Sequence, residues 1–280
     1  MKFTKWHGQG NDFVIVNGME EHIVDYSRTA IAVCDRHFGI GADGLVVLLP
    51  ADTTADFRMR IFNSDGSEAE MCGNATRCVA RYVYEQGLTA KTLITLQTMA
   101  GSIVPELVFD AGRITTIRVD MGQPRLTRAE IPMTGDPLAQ AVSIPVEAAG
   151  QVWQVTSVSM GNPHAVVFVD NLTTINLPVV GPQLEAHALF PRKTNVEFVE
   201  VLNNEELRMR VWERGAGVTL ACGTGASAVL VAAVLNGKTN RRAVIHLDGG
   251  DLHIEWGHDN HVYMSGPAVE VFRGTYLQEV

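Results

Sequence analysis

Phe57-Arg58-Met59-Arg60-Ile61-Phe62 is matched 150 residues later by Leu207-Arg208-Met209-Arg210-Val211-Trp212. In both stretches apolar side chains alternate with Arg or Met, and this period of two predicts a strand with one face toward solvent. At the same offset, Cys72-Gly73 aligns with Cys222-Gly223. A period of 150 residues is too long for a solenoid, whose repeats span about 20–50 residues. The sequence therefore predicts two copies of one domain, related by a pseudo-twofold axis.

The repeat extends on both sides of these strands. Upstream, residues 10–16 match residues 161–167 at an offset of 151. Behind the first Cys-Gly pair, apolar side chains form a helical stripe through residues 75–83. Behind the second pair, residues 226–235 are apolar nearly all round, as in a helix that is buried on several sides. Each copy is therefore expected to place a buried helix directly after its cysteine.

The predicted fold class is α+β, with two pseudo-symmetric domains that each wrap a curved, mostly antiparallel sheet around a central helix. One domain comprises residues 1–120 plus 268–280 and contains Cys72. The other comprises residues 121–267 and contains Cys222. The boundary is expected in the Gly- and Pro-bearing stretch 121–137, and the last strand-like segment is expected to return to the first domain.

Composition excludes several classes of protein. The 280 residues are 46% hydrophobic and 19% charged, which allows a sizeable core and is unlike a disordered chain. A net charge of −9 argues against a protein that binds nucleic-acid backbones. The longest apolar run, residues 228–235, is far shorter than the roughly 20 residues that span a bilayer, and the first residues lack the apolar core of a signal peptide. Since four cysteines do not make a disulfide scaffold here, we expect a cytoplasmic protein without membrane or nucleic-acid partners.

The two repeat-matched cysteines predict a specific chemistry. A helix N-terminus presents unpaired N–H groups and a partial positive charge, which can hold a carboxylate and lower the pKa of a thiol. Two such ends that face each other across a cleft would place Cys72 and Cys222 on either side of one bound molecule. One thiolate could then remove a proton from the carbon beside the carboxylate, and the opposite thiol could return a proton to the other face. This inversion of a stereocentre requires no cofactor and no metal.

Cysteines can also serve as packing residues, zinc ligands or redox disulfides. Cys34 and Cys78 lie on apolar helical stripes, where cysteine usually packs as a small hydrophobic residue. A zinc site is not predicted, because the sequence has no Cys-x-x-Cys pair and no nearby His-x3–5-His pair. A redox disulfide between Cys72 and Cys222 stays open, since two thiols that face a small ligand could approach each other when the site is empty.

Two long segments, residues 63–74 and 213–225, resemble the active-site signatures of the diaminopimelate epimerase family. Three shorter segments, residues 7–13, 160–164 and 194–198, resemble that family as well, and the likeness runs in order from about residue 3 to residue 273. The resemblance implies a diaminopimelate epimerase-like fold and a pyridoxal-independent epimerase. Such an enzyme interconverts LL- and meso-diaminopimelate in lysine and peptidoglycan-precursor biosynthesis, uses no cofactor and forms homodimers.

The resemblance also implies the site residues. Cys72 and Cys222 are the catalytic pair, and His164 and Glu213 adjust the pKa of the thiols. The substrate-binding residues it implies are Asn11, Asn63, Gly73, Asn74, Asn162, Asn195, Glu213, Arg214, Gly223 and Thr224. These residue types suit a small diamino-dicarboxylate, because a carboxylate such as Glu213 accepts from an ammonium and the fork of Arg214 donates to a carboxylate.

Two positions depart from the family pattern, and other functions remain open. Gly44 stands where some members have a substrate-contacting Gln, and Ala75 stands where a Gly usually follows Cys-Gly-Asn, which predicts a helical residue with negative φ. The alternatives are a racemase of the same fold that acts on another amino acid such as histidine, a thiol redox protein, and a small-ligand binding module without turnover.

Overall fold

The computed structural model describes residues 1–277, and within them it is a mixed α+β protein. The first part of the chain contains strands β1 Lys2–Gly8, β2 Asn11–Asn17, β3 Gly44–Leu49, β4 Phe57–Asn63, β5 Glu68–Ala69, β6 Leu96–Thr98, β7 Gly101–Ile103, β8 Glu106–Asp110 and β9 Arg113–Asp120, with helices α1 Tyr26–Cys34 and α2 Gly73–Glu85. The second part contains β10 Ile144–Ala148, β11 Gln151–Ser159, β12 Pro163–Val169, β13 Asn195–Asn203, β14 Glu206–Glu213, β15 Gly217–Thr219, β16 Arg242–Leu247, β17 Gly250–Trp256, β18 Val262–Gly266 and β19 Val269–Thr275, with helices α3 Leu177–Glu185 and α4 Gly223–Leu235 and a short 3-10 helix, Leu172–Thr174.

The described chain divides into two compact units. The first unit is Met1–Asp120 together with the chain from Ser265 onward, and the second unit is Met121–Met264. The sequence predicts that the chain returns from the second domain to the first between residues 267 and 268. Residues 278–280 of that predicted first domain lie outside the described part of the chain. The assignment of these units as two epimerase domains stays a prediction.

The sheet of the first unit has the strand order β19-β1-β2-β3-β4-β6-β7, with β5 paired to β4. Two of its pairs, β2–β3 and β4–β6, are parallel, and the other pairs are antiparallel. The last strand, β19, pairs with β1, so the C-terminal part of the chain returns to the first sheet. The hairpin β8–β9 also belongs to this unit.

The second unit repeats this topology. Its strands follow the order β10-β11-β12-β13-β14-β16-β17-β18, with β15 paired to β14. In both units the parallel pairs join the third strand to the fourth and the fifth strand to the sixth in this order, here β12–β13 and β14–β16. The two quoted stretches lie in β4 and β14, where the apolar residues Phe57, Met59, Leu207 and Met209 are buried. The predicted α+β class with mostly antiparallel sheets is confirmed.

In each unit a thirteen-residue helix packs against the strands, in addition to the shorter α1 and α3. Helix α2 contacts β1, β2, β8, β9 and β19, whereas α4 contacts β11, β12, β13, β16 and β17. Nine of the thirteen residues in each helix are buried, and full burial of each Val or Leu side chain among them stabilises the fold by about 1.5–3 kcal/mol. In the described residues no helix is long and apolar enough to cross a membrane. These two helices fix the positions of the cysteines, because Cys72 and Cys222 are their N-cap residues.

Candidate active site

In the first unit, three residues implicated by the sequence meet at the start of α2. Cys72 is the extended N-cap residue, and its Sγ lies 3.7 Å from Oδ1 of Asn11, in hydrogen-bonding geometry. Nδ2 of Asn74 donates to the same Oδ1 at 3.1 Å. The contact arises because β2 begins at Asn11 and α2 packs against β2. Cys72, Asn11 and Asn74 therefore form one hydrogen-bonded group.

Three other first-unit positions singled out in the sequence have local roles. Asn63 ends β4, is exposed, and donates through Nδ2 to Oγ of Ser67 at 2.9 Å, so its side chain supports the turn that follows. Gly44 pairs with Asn63 across β3 and β4, and a Cβ on Gly44 would lie 2.9 Å from the carbonyl oxygen of Phe62. A side chain at position 44 would therefore need the backbone to shift. Ala75 is helical and fully buried, as its identity predicts.

A charged cluster stands behind Asn11. Nδ2 of Asn11 donates to Oδ2 of Asp43 at 2.9 Å, and Arg36 donates to the other oxygen of Asp43 at 2.8 Å. Arg36 also pairs with Asp12 at 2.9 Å, and the buried Lys5 pairs with Asp12 at 2.6 Å. Burial alone would raise the pKa of the Asp12 carboxyl, but hydrogen bonds from Arg36 and Lys5 outweigh it and lower that pKa. Sequence reasoning gave these residues no role, although Asp12 and Asp43 lie in segments it singled out.

A buried cation stands behind Asn74. Arg77 is fully buried, and its Nη2 donates to Oδ1 of Asn74 at 2.8 Å and to Oε1 of Gln9. Its Nε donates to the carbonyl oxygen of Pro267 at 3.2 Å. Burial lowers the pKa of the Arg77 guanidinium to about 10, and negative charge on Cys78 or Cys72 acts in the opposite direction. The 150-residue repeat places Ser227 at the equivalent position, so this cation is particular to the first unit.

In the second unit, an equivalent group meets at the start of α4. Cys222 is the N-cap residue, is 6% exposed, and its Sγ accepts from the backbone N–H of Gly225 at 3.3 Å. Oγ1 of Thr224 lies 3.5 Å from the same sulfur. Nδ2 of Asn162 donates to that hydroxyl oxygen at 3.3 Å. Asn162 thus occupies in the second unit the place that Asn11 occupies in the first.

The expectation that a helix N-terminus lowers the thiol pKa is wrong for Cys222. Burial raises the pKa of this thiol well above its ordinary value, and the carboxylates of Glu213 and Glu197 raise it further. Hydrogen bonds from Thr224 and Gly225 act in the other direction but are outweighed. The sequence pattern shows the helix end, but it does not show how completely the sulfur is removed from water.

Glu213 and His164 lie in the surroundings of Cys222. Burial raises the pKa of Glu213, which ends β14 and accepts from the hydroxyl of Thr219. A hydrogen bond with Cys222 opposes that shift. His164 is fully buried, with Nδ1 2.6 Å from Oε1 of Glu197 and Nε2 3.0 Å from Oδ1 of Asn162.

Glu197 is a residue that sequence reasoning missed. It is fully buried in β13, and its Oε2 has no hydrogen-bond partner. His164 of β12 lies opposite Asn195 of β13. Since side chains alternate along a strand, Glu197 lies on the same face of the sheet as Asn195 and His164. The available signal was a lone acid inside the apolar run Val196-Glu197-Phe198-Val199.

The side chains of Asn195 and Arg214 form hydrogen bonds with nearby backbone groups. Oδ1 of the buried Asn195 accepts from the backbone N–H of Arg214 at 2.9 Å, and its Nδ2 donates to the carbonyl oxygen of Pro163 at 2.9 Å. The guanidinium of the exposed Arg214 donates to the carbonyl oxygen of Arg192 at 3.1 Å. Asn195 therefore ties the end of β14 to the start of β12.

Comparisons with known proteins match this chain to one family over most of its length. The family model described as diaminopimelate epimerase matches residues 3–127 and 156–271. The chain belongs to the diaminopimelate epimerase family. It is 57% identical over 278 residues to the diaminopimelate epimerase of Pelotomaculum thermopropionicum, with 99% of both chains covered. It is 51% identical over 275 residues to that of Methanococcus maripaludis, covering 98% of this chain and 99% of the relative.

Solved structures show the same fold at much lower identity. A phenazine biosynthesis protein of the PhzF family from Bacillus anthracis has a TM-score of 0.73 at 17% identity, with 99% of both chains covered. A probable proline racemase from Agrobacterium radiobacter has a TM-score of 0.69 at 15% identity, covering 99% of this chain and 93% of that one. At this identity the likeness establishes the α+β fold of a diaminopimelate epimerase family member and nothing about its substrate.

The other two cysteines of this diaminopimelate epimerase family member are structural. Cys34 and Cys78 are buried, and burial raises the pKa of each thiol to about 12. All four cysteines are free thiols in the structure. Among the described residues, no group of three or more His, Cys, Asp or Glu side chains is placed to hold a metal ion.

Proposed function

We propose that this protein interconverts LL- and meso-diaminopimelate, with Cys72 and Cys222 as the acid–base pair. The observation that carries the proposal is the duplicated arrangement: a cysteine N-caps a buried helix in each unit, beside an asparagine at the equivalent position. Membership of the diaminopimelate epimerase family supplies the reaction class and the substrate class. The role lies in lysine and peptidoglycan-precursor biosynthesis.

The proposed reaction is proton transfer on the two faces of one carbon. One cysteine, as thiolate, removes the α-proton, and the other, as thiol, delivers its proton to the opposite face. The C–H bond electrons remain on carbon in between and return to the incoming proton, so the thiol and thiolate exchange roles in each turnover. Backbone N–H groups at Gly73-Asn74 and Gly223-Thr224 are suited to hold the carboxylate that carries the developing charge.

The raised pKa of Cys222 is consistent with this role. A thiol whose ionised form is disfavoured is a stronger base once it is ionised, and an α-proton is a very weak acid. We propose that Glu213, which shares a hydrogen bond with Cys222, modulates that proton affinity, and that His164 acts through its electrostatic effect on Glu213. We propose no cofactor or metal for the reaction.

The distal amino-acid head of the substrate requires a second set of ligands. We assign it to Asn11, Asn63, Asn162, Asn195, Glu213 and Arg214, as the family resemblance implies. The structural support for these assignments differs from residue to residue. The exposed Arg214 is accessible to a ligand, whereas both polar atoms of the Asn195 side chain already bond to backbone groups. The substrate is a small diamino-dicarboxylate, and we propose a cytoplasmic homodimer with no membrane or nucleic-acid partner.

Isotope exchange tests the proposal. LL-diaminopimelate incubated with reduced protein in D2O should gain deuterium at one α-carbon as the meso isomer forms. Cys72→Ala and Cys222→Ala should each abolish turnover, whereas Cys34→Ala, which changes a buried thiol outside both groups, should retain it. Exchange of free histidine but not diaminopimelate would identify a racemase of another amino acid. Reversible formation of a disulfide without any exchange would identify a thiol redox protein, and binding without exchange a binding module.

A further inference from the structure

We propose that Asp43 and Arg77 are positioning residues that lock the side-chain amides of Asn11 and Asn74 in one orientation, so that the carbonyl oxygen of Asn11 faces Cys72. The inference deepens the proposed function, because it concerns the surroundings of one of its two cysteines. It rests on that function only for its catalytic consequence.

A series of hydrogen bonds links Arg77, Asn74, Asn11 and Asp43. The residue at its first end, Arg77, can only donate. A guanidinium can only donate, so the atom of Asn74 that lies 2.8 Å from Nη2 of Arg77 must be its oxygen. The nitrogen of Asn74 then points to Asn11 and donates to it at 3.1 Å. Arg77 and Asn74 are both buried, so water does not compete for these groups.

The residue at the other end of this hydrogen-bond series, Asp43, can only accept. A carboxylate can only accept, so the atom of Asn11 that lies 2.9 Å from Oδ2 of Asp43 must be its nitrogen. Asp43 is itself held by Arg36 at 2.8 Å and by the backbone N–H of Asp12 at 3.0 Å. A donor at one end and an acceptor at the other exclude the flipped amide of either asparagine. The two ends thereby fix which atom of Asn11 the sulfur of Cys72 meets.

The orientation has a chemical consequence for Cys72. A carbonyl oxygen accepts a hydrogen bond from a thiol but repels a thiolate, so the locked amide stabilises the protonated form. Among the described residues, the nearby groups that carry or gain charge include Arg77 and Cys78 on α2. Behind Asn11 they include Asp43, Asp12, Arg36 and Lys5. If Asn11 turned over, its NH2 group would face the sulfur and would stabilise the thiolate instead.

The variant Asp43→Asn removes the obligatory acceptor while keeping the shape of the side chain. In full-length protein, iodoacetamide labelling of Cys72 can be followed by mass spectrometry, because the tryptic peptide of residues 61–77 contains no other cysteine. We expect the pH midpoint of labelling to fall by about one unit in Asp43→Asn, since the orientation of Asn11 is then held only by the hydrogen bond from Asn74, and its NH2 group can turn toward the sulfur. Asp43→Ser serves as a second variant in case the first does not fold, and Asp52→Asn, which lies in an exposed ion pair with Arg58, should leave the midpoint unchanged.

A double-variant cycle separates orientation from charge. In an Asn11→Ala background, Asp43→Asn should produce no further shift, because the amide that transmits the effect is gone. A shift that persists in that background would show a direct charge effect of Asp43 and would overturn the inference, as would the absence of any shift in the single variant. The labelling does not depend on turnover, so it can fail while the exchange experiment succeeds, and the reverse. Turnover by Asp43→Asn should in addition fall by about tenfold or more in kcat/KM.

Discussion

At the scale of single residues, the surroundings of the two cysteines differ in charge. Near Cys72 lies a buried cation, Arg77, whereas Cys222 is close to the carboxylates of Glu213 and Glu197. The repeat thus preserves the thiol and its helix but changes the field around it. In the proposed two-cysteine mechanism, the two thiols do not need identical acidities.

The charge of Glu213 can be tested through the pH dependence of Cys222. Because burial and the carboxylate of Glu213 raise the pKa of Cys222, Glu213→Gln should lower that pKa, and Cys222 should become reactive toward iodoacetamide at a lower pH. The readout is labelling of the tryptic peptide of residues 215–238, which contains no other cysteine. Glu255→Gln, which lies in an exposed ion pair with Arg242, is the matched control. An unchanged midpoint in Glu213→Gln would contradict the assigned cause.

The buried pair of Glu197 and His164 should matter for stability. Glu197→Ala leaves the fully buried imidazole without its partner at 2.6 Å, so we expect the free energy of unfolding to fall by about 1–3 kcal/mol. Glu197→Gln should cost less, because an amide can still hydrogen-bond to the ring. Urea denaturation measures both. Glu255→Ala breaks an exposed pair of the same length and should change stability by less than about 1 kcal/mol, so equal losses at the two positions would argue against this account.

At the scale of elements, the N-terminal turns of α2 and α4 are equivalent but are packed differently. Ala75 and Gly225 occupy matched positions of the repeat, and both are buried. In α2 the first turn bonds through Asn74 to Asn11 and Arg77, whereas in α4 it passes close to Glu197. The same helix position therefore accepts a methyl group in one unit and has no room for it in the other.

Gly225→Ala tests this difference. A Cβ at position 225 would lie 2.8 Å from Oε1 of Glu197 and 3.2 Å from Sγ of Cys222, and that carboxylate is held by His164. The clash should outweigh the helix preference of Ala over Gly, about 1 kcal/mol, so both stability and epimerase turnover should fall. Ala75→Gly is the mirror control and should cost only about that helix preference. Thermal unfolding and the exchange assay provide the two measurements, and a stabilised, fully active Gly225→Ala would refute the argument.

At the scale of the whole molecule, the first sheet ends in a strand with an exposed apolar surface. Strand β19 is the terminal strand of that sheet, and Val269, Val271 and Phe272 on it are 40%, 54% and 46% exposed. Unpaired edge strands with apolar side chains favour pairing with another chain. This surface supports the proposed homodimer.

Light scattering coupled to size-exclusion chromatography tests the oligomeric state. We expect the mass of a dimer of the 30.5 kDa chain, and we expect Phe272→Glu to shift it toward the monomer because a charge cannot be buried at an apolar interface. Leu138→Glu, at an 81% exposed position in the second unit, should leave the mass unchanged. A monomeric wild-type protein, or a Phe272→Glu protein that stays dimeric, would contradict this assignment of the interface.

The amino-acid sequence by itself determined the duplication, the strand–cysteine–helix order and the α+β class. These features follow from local periodicity and from the fixed offset of 150 residues, and both can be read directly from the order of the residues. The helical residue Ala75 and the structural Cys34 and Cys78 were predicted for the same reason.

Only the tertiary structure decided how the cysteines are charged and what holds the side chains beside them. Asp43, Arg77 and Glu197 come from a loop, a helix and a strand, and they reach Asn11, Asn74 and His164 through packing and strand register. The pKa of Cys222 depends on exclusion of water and on the carboxylates of Glu213 and Glu197, which lie 9 and 25 residues earlier in the sequence. Burial and electrostatic fields are properties of the folded surroundings, which a linear pattern of residue types does not contain.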